Sequence, residues 1–325
     1  MRRLRNAAPQ LGMLATMLLA CWIVFPGFFN LSIHDGRLTG SLIDVLNRGA
    51  PVALLALGMA PVIATRGIDL SVGAVMAIAG AVAATSVEAG WPWQAAVGFA
   101  LGAGLVAGLW NGTLVALLAI QPIVATLVLM VAGRGIAQLV TEGRIVTFVD
   151  PHLAAIGSGA LLGIPVPVVI ALAVAAGLAL LTRRTALGLF IEAVGVNPRA
   201  SRLAGLHTRG LLLAVYALSG LTAALAGVIV AADIRGADAN NAGLWLELDA
   251  ILAVVLGGAS LFGGRLSFGL TLVGALTLQA LKTGILLAGF PPEFNLVAMA
   301  AVVTVLLVVQ APTVRQMWRR RKAAA

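Results

Sequence analysis

The 325-residue chain is 61% hydrophobic and only 10% charged, whereas an ordinary soluble domain carries about 25% charged residues. That balance excludes a soluble globular fold and directs the chain into a membrane. The formal net charge of +9 would suggest nucleic acid on a polar chain; here it reads as the positive-inside bias of a bacterial-type inner-membrane protein, with lipid and no nucleic acid as partner.

Several uncharged apolar stretches reach the ~18 residues needed to cross roughly 30 Å of hydrocarbon as helix. A closed β-barrel is the other spanning solution, but its apolar–polar alternation is missing. The expected fold is an all-α polytopic transmembrane bundle. The opening MRRLR and the following apolar run resemble a signal peptide, and LLAC at 18–21 resembles a lipoprotein cleavage box. WIVFPGFF prolongs the apolar run past Cys21, so an uncleaved first span is expected near 11–29. Hydropathy and breakers place nine more spans, near 49–65, 70–88, 95–119, 122–140, 164–182, 210–231, 248–263, 267–287 and 294–311.

Ten spans put both termini on one side, and charge says which. Arg2, Arg3, Arg5, Arg66, Arg265, five arginines between 183 and 209, and the cations of 315–322 then share the cytoplasmic face. Asp35, Glu88, Glu142, Asp150, Asp233, Asp238, Glu247 and Glu293 fall in or beside the opposite loops, as do Trp91 and Trp93. The whole of 1–325 reads as a single transmembrane domain with a cytoplasmic segment at 183–209 and a basic tail at 313–325.

A weak repeat relates GIDLSVGAVMAIAGA, from Gly67, to GGRLSFGLTLVGAL, from Gly263. Both copies open a span at a cytoplasmic turn, six spans apart, which fits a parallel internal repeat; shared helix-start chemistry would give the same match. In the fourth span, small residues recur at four-residue intervals, Gly98 with Gly102 and Gly104 with Gly108, a pattern for close helix–helix contact. Polar residues inside spans are few, chiefly Asn111, Gln138, Asp249 and Gln279. Each faces a cavity or bridges helices.

Chemistry of other kinds is absent. The only lysines, Lys282 and Lys322, follow no GxxxxG run, so no phosphate-binding loop exists. There is no GxSxG elbow and no Cys/His set with metal spacing; His34, His152 and His207 stand singly in polar loops. The chain is not expected to be an enzyme or to hold a cofactor. If it moves solute uphill, energy comes from an ion gradient or from another subunit. The acids mostly cluster at span ends, which favours the subunit.

One polar insert breaks the apolar pattern: ALGLFIEAVGVNPRASRLAGL, residues 186–206. Its first half is too short to span, and Glu192 would cost about 2.5–3.5 kcal/mol at a helix centre. Asn197 reads as an N-cap and Pro198 as the first helical residue. Ala200, Leu203 and Ala204 then share one face beside an edge formed by Arg199 and Arg202, and Gly205 suits the left-handed stop. Two turns are unstable alone, so this helix either docks on a partner or lies on lipid headgroups.

GIDLSVGAVMAIAGAVAA at 67–84, QPIVATLVLMVAGRGIAQLVT at 121–141, the polar insert, YALSGLTAALAG at 216–227 and ELDAILAVVLGGASLFGGR at 247–265 resemble the permease subunits of bacterial ATP-binding-cassette importers for simple sugars, the ribose-type group. AADIRGADANNAGLWLELDAI at 231–251, IVTF at 145–148 and TGILLAGFPPE at 283–293 are most similar to the galactofuranose importers within it. The resemblance spans roughly residues 45–312. It implies a second, non-identical permease subunit, cytoplasmic ATPases that use the ATP, and a periplasmic sugar-binding protein. It also implies that Glu192, Gly195, Asn197, Ala200 and Gly205 lie in the segment that fits the ATPase; Arg199 and Arg202 would face ATPase carboxylates. No motif assigns the sugar site. Hydroxyl-rich cargo needs donors and acceptors, which makes Asn111, Gln138, Asn240, Asn241 and Gln279 the candidates; the polar stretch 233–247 would instead suit docking of the binding protein. An ion-coupled secondary transporter of a small polar solute is the competing class.

Overall fold

A computed structural model describes residues 2–304 apart from 35, 292, 295, 299, 302 and 303. Twelve helices are described: α1 (Arg2–Val24), α2 (Ser41–Ala64), α3 (Val72–Glu88), α4 (Trp93–Ala116), α5 (Pro122–Val140), α6 (Pro151–Ser158), α7 (Val166–Arg184), α8 (Leu187–Val196), α9 (Pro198–Leu203), α10 (Thr208–Ile234), α11 (Leu246–Leu256) and α12 (Phe268–Leu287). Short antiparallel pairs join β1 (Ser32–His34) to β2 (Arg37–Thr39), β3 (Val146–Thr147) to β6 (Gly236–Ala237), and β4 (Ala160–Leu161) to β5 (Ile164–Pro165).

Seven of these helices are long and apolar enough to cross a membrane: α1, α2, α4, α5, α7, α10 and α12. The molecule is therefore a helical multi-pass membrane protein. Two predicted spans have a different form. The segment 70–88 is helical only from Val72, over 17 residues, after an irregular stretch at 65–71. The segment 248–263 contains an 11-residue helix, α11, and then a non-helical connector at 257–267. At 1.5 Å per residue α11 rises only about 16 Å, half the hydrocarbon thickness. Most of the predicted span at 294–311, the basic tail at 313–325 and Asp35 lie outside the described residues.

The core is built around α10, which packs on α2, α3, α4 and α6. Its seam with α4 is backbone on backbone. A Cβ at Gly104 would overlap Gly220 O and Ala224 Cβ, one at Gly108 would overlap Tyr216 O, and one at Gly220 would overlap Gly104 O. Lipid supplies no hydrophobic drive between helices, so close contact through small residues takes its place. The expected pairing is thus half corrected. Gly104 and Gly108 face α10, whereas Gly98 and Gly102 are exposed with open space where a Cβ would go. A glycine on α2, Gly58, packs the same way against Thr222 of α10. α12 joins the bundle through α2 and α11, and α1 lies on its outer side, where Cys21 is buried and its Sγ donates to Ala280 O at 3.4 Å.

The two ends of the bundle differ. At one end the tip of α2, the end of α8 and the connector 257–267 converge: Gly264 N donates to Ala64 O at 2.9 Å. At the other end lie the strand pairs, the Arg144–Glu88 ion pair at 2.8 Å and the Arg37 bond to Ser158 O at 2.8 Å.

Candidate translocation and coupling sites

Irregular backbone inside a membrane bundle must find its hydrogen bonds within the protein, and two largely irregular segments border α3 here. The first, 65–71, begins at Arg66, whose backbone is left-handed (φ 67°), and is threaded between helices. Thr126 of α5 secures it from one side: Leu70 N donates to Thr126 Oγ1 at 3.1 Å, and that hydroxyl lies 3.2 Å from Ile68 O. Asp69, 2% exposed, holds the other side. Its Oδ1 accepts from Ser71 N at 3.0 Å and Ser71 Oγ at 2.6 Å, and its Oδ2 accepts from Ser219 Oγ of α10 at 2.7 Å. Asn111 of α4 completes the cluster, donating to Ser71 Oγ at 2.8 Å and more weakly to Asp69 Oδ1 at 3.4 Å. Gly67 is required because a Cβ there would stand 2.6 Å from Tyr216 Oη. Among the described residues neither Tyr216 Oη nor Asn111 Oδ1 has a hydrogen-bond partner.

The second irregular segment, 235–245, runs between two further left-handed residues, Arg235 (φ 54°) and Trp245 (φ 64°). Asp238 organises its tip, accepting from Asn240 N at 3.0 Å and from Asn241 N at 3.3 Å, with the Asn241 amide closing the turn at 2.6 Å. These bonds, the Asn241 side chain foremost, hold the Asp238 carboxyl below the usual carboxylate range. Gln138 donates to Asn240 Oδ1 at 2.8 Å. One turn earlier on α5, the Arg134 guanidinium bonds Ala239 O and Ala242 O. The second segment meets the first turn of α3 where Gly243 lies against Gly73: a Cβ on either would overlap the other's carbonyl oxygen.

Charges line this meeting point. Glu247 and Asp249 are buried in the first turn of α11. Glu247 Oε2 would crowd any Cβ at Gly73 and interacts electrostatically with Arg134. Asp249 is ion-paired with Lys282 of α12. Gln279, one turn before Thr283, is buried against Gly49 of α2 and reaches Thr283 Oγ1 at 3.5 Å. The five polar residues expected to meet sugar do not form one group. Asn111 belongs to the Asp69 cluster, Gln138 of α5 meets Asn240 and its neighbour Asn241 at the exposed tip of the second segment, and Gln279 sits in the α2–α12 contact. Arg134, Lys282, Asp69 and Thr126 escaped the sequence reading. A signal existed for two of them, since Arg134 and Lys282 are charges inside apolar spans.

The polar insert folds as expected locally and divides functionally. Asn197 caps α9, its Oδ1 accepting from Ala200 N at 3.0 Å, and Gly205 takes the left-handed stop at φ 85°. α8 turns inward. Glu192 Oε1 accepts from Leu266 N at 3.0 Å, and a Cβ at Gly195 would overlap Ala64 O. α9 turns outward: Arg199, Ala200, Arg202, Ala204 and Gly205 are all exposed, and Leu203 is 85% exposed.

Comparison with known proteins gives this architecture a family. Residues 41–308 match the family described as "Branched-chain amino acid transport system / permease component". The galactofuranose transporter permease protein YtfT of Escherichia coli (strain K12) is 61% identical over 311 residues, 95% of this chain and 91% of the relative. The fructose import permease protein FruF of Bifidobacterium longum (strain NCC 2705) is 40% identical over 308 residues, 93% and 86% of the two chains. The ribose import permease protein RbsC of Escherichia coli (strain K12) is 38% identical over 288 residues, 87% of each. No solved structure matches. The family description and these relatives name different cargoes but the same membrane role. The chain therefore belongs to the family of branched-chain amino acid transport system permease components.

Proposed function

We propose that this chain is the inner-membrane permease subunit of an ATP-driven importer for a monosaccharide, galactofuranose, and that separate ATPase subunits drive it through residues 186–206. One observation carries the coupling reading: an insert whose inner helix is bonded into the bundle and whose outer helix presents an unpartnered apolar and basic face. Leu203, Ala200 and Ala204 would enter a groove of the ATPase, with Arg199 and Arg202 against its carboxylates. The cargo rests on the 61% identical relative. A periplasmic sugar-binding protein delivers it to the opposite end, where Gln138, Asn240 and Asn241 are exposed, and Asn111 and Gln279 lie deeper on the path. The chain itself holds no catalytic residue or cofactor.

In the same reading both termini and the tip of α2 are cytoplasmic, and 1–325 forms one domain of about ten crossings. Two of these crossings, through α3 and α11, are discontinuous. A second permease subunit completes the pathway. The Leu-Ser pairs at 70–71 and 266–267 both immediately precede a helix, which supports a parallel repeat.

The test is reconstitution with an ATPase subunit and a periplasmic sugar-binding protein of the same importer. ATP-dependent uptake of galactofuranose, abolished by omitting the ATPase, is expected. Uptake by the permease alone under an imposed ion gradient would overturn the proposal in favour of an ion-coupled transporter, a reading that the buried charges around α11 make chemically reasonable.

A further inference from the structure

Three segments distant in sequence meet at the inner end of the bundle, and one side chain joins them. Arg66 Nε donates to Phe262 O at 3.0 Å, in the α11–α12 connector, and Nη2 donates to Val196 O, the last residue of α8. Its own backbone is the hinge where α2 gives way to the irregular segment 65–71. The surroundings are built for that reach. A Cβ at Gly263 would stand 2.6 Å from Arg66 Cγ, and one at Gly264 2.8 Å from Val196 Cγ2.

A cation present only to set topology needs no fixed geometry, and snorkels to water. Arg66 is fixed on both counts. Its fork engages two carbonyls from two other elements, a bidentate geometry a lysine cannot reproduce. Its backbone also sits at φ 67°, where a residue other than glycine is uncommon and marks a constraint imposed by the surroundings. Glycine would adopt that conformation without strain. The arginine is therefore kept for its side chain and not for its backbone.

Resting on the coupling reading above, we propose that Arg66 is a positioning residue, a latch that makes α8, the connector 257–267 and the α2–α3 break move as one body. Movement imposed on α9 from outside then reaches both discontinuous crossings together: α11 through its connector, and the Asp69 cluster through 65–71. Glu192, bonded to Leu266 N, is the second tie of the same body.

Removing the single cysteine by Cys21→Ser gives a background in which spin labels at 196 and 262, both exposed, report the distance across the latch. In the assembled transporter the proposal expects a narrow distribution that stays narrow through ATP turnover, and a broad one in Arg66→Gly. The same variant should keep ATPase association and ATP hydrolysis while uptake per ATP falls about tenfold, within the range of typical coupling energies. Arg66→Lys should fall between the two. An unchanged distribution in Arg66→Gly, or unchanged uptake per ATP, overturns the latch. So does loss of ATPase association in step with uptake, which would make Arg66 merely structural. Labels on the permease without its ATPase read the latch independently, so failure of the wild-type chain to bind an ATPase would sink the coupling reading and leave this measurement standing.

Discussion

At the scale of single residues, the structure turns on a few buried polar and charged groups, one of them an ion pair between helices. Asp249 and Lys282 lie between α11 and α12, with side chains 5% and 21% exposed. Removing one partner of such a pair leaves a buried charge uncompensated, at a cost of about 3–5 kcal/mol. Lys282→Ala should therefore lower the melting temperature in detergent strongly. Replacing both residues with apolar ones of similar size should restore most of it; equal loss in both would show that packing, not charge, was lost. Asp238 makes a milder prediction. Its carboxyl is held below its ordinary value by the Asn241 amide, so the turn at 238–241 is fully stabilised above the unfolded value of about 3.9. That contribution is lost as pH falls through the lower folded value. The protection of amides 238–242 relative to their intrinsic exchange rate should stay flat from neutral pH to about 4 and fall below it, and Asp238→Asn should remove the dependence.

The helices respond to substitution according to which face a small residue occupies. Gly220→Ala drives a methyl into the backbone oxygen of Gly104, which no side-chain rotation relieves. A loss of about 1–3 kcal/mol is expected. Gly98→Ala meets open space on the same pair of helices and should leave thermal stability unchanged or slightly improved. The insert obeys the same logic. Gly195→Leu should unseat α8 from the tip of α2 and destabilise the fold. Leu203→Asp, on the exposed face of α9, should leave the melting temperature in place and abolish ATPase copurification. Retained copurification with Leu203→Asp would argue against α9 as the docking element. A four-residue glycine spacing is visible in the sequence for both halves of α4, but rotation about the helix axis decides which half meets α10. That rotation is set by partners about 100 or more residues away.

Across the whole molecule, composition and hydropathy were enough to specify a helical membrane protein, because an apolar chain without alternation has no other way to satisfy its backbone in lipid. The N-cap at Asn197, the stop at Gly205 and most helix bounds were equally legible, since capping depends on residues three or four apart. The breaks at 65–71 and 235–245 were not. Both fall where the spacing of spans leaves short loops, 66–69 and 232–247, but only the bonds at Thr126, Ser219, Asn111 and Arg134 show how their backbone is held against the helices. Glu192 and Gly195 lie in the segment that the resemblance assigns to coupling, and their contacts with Leu266 and Ala64 were not legible in sequence. The sequence by itself determined what kind of molecule this is and where its short-range helix signals lie, through local forces that a window of residues contains. Only the tertiary structure decided which polar groups bond to one another and which glycines touch, because those pairings join segments as much as 230 residues apart and no local pattern encodes the rotation that aligns them.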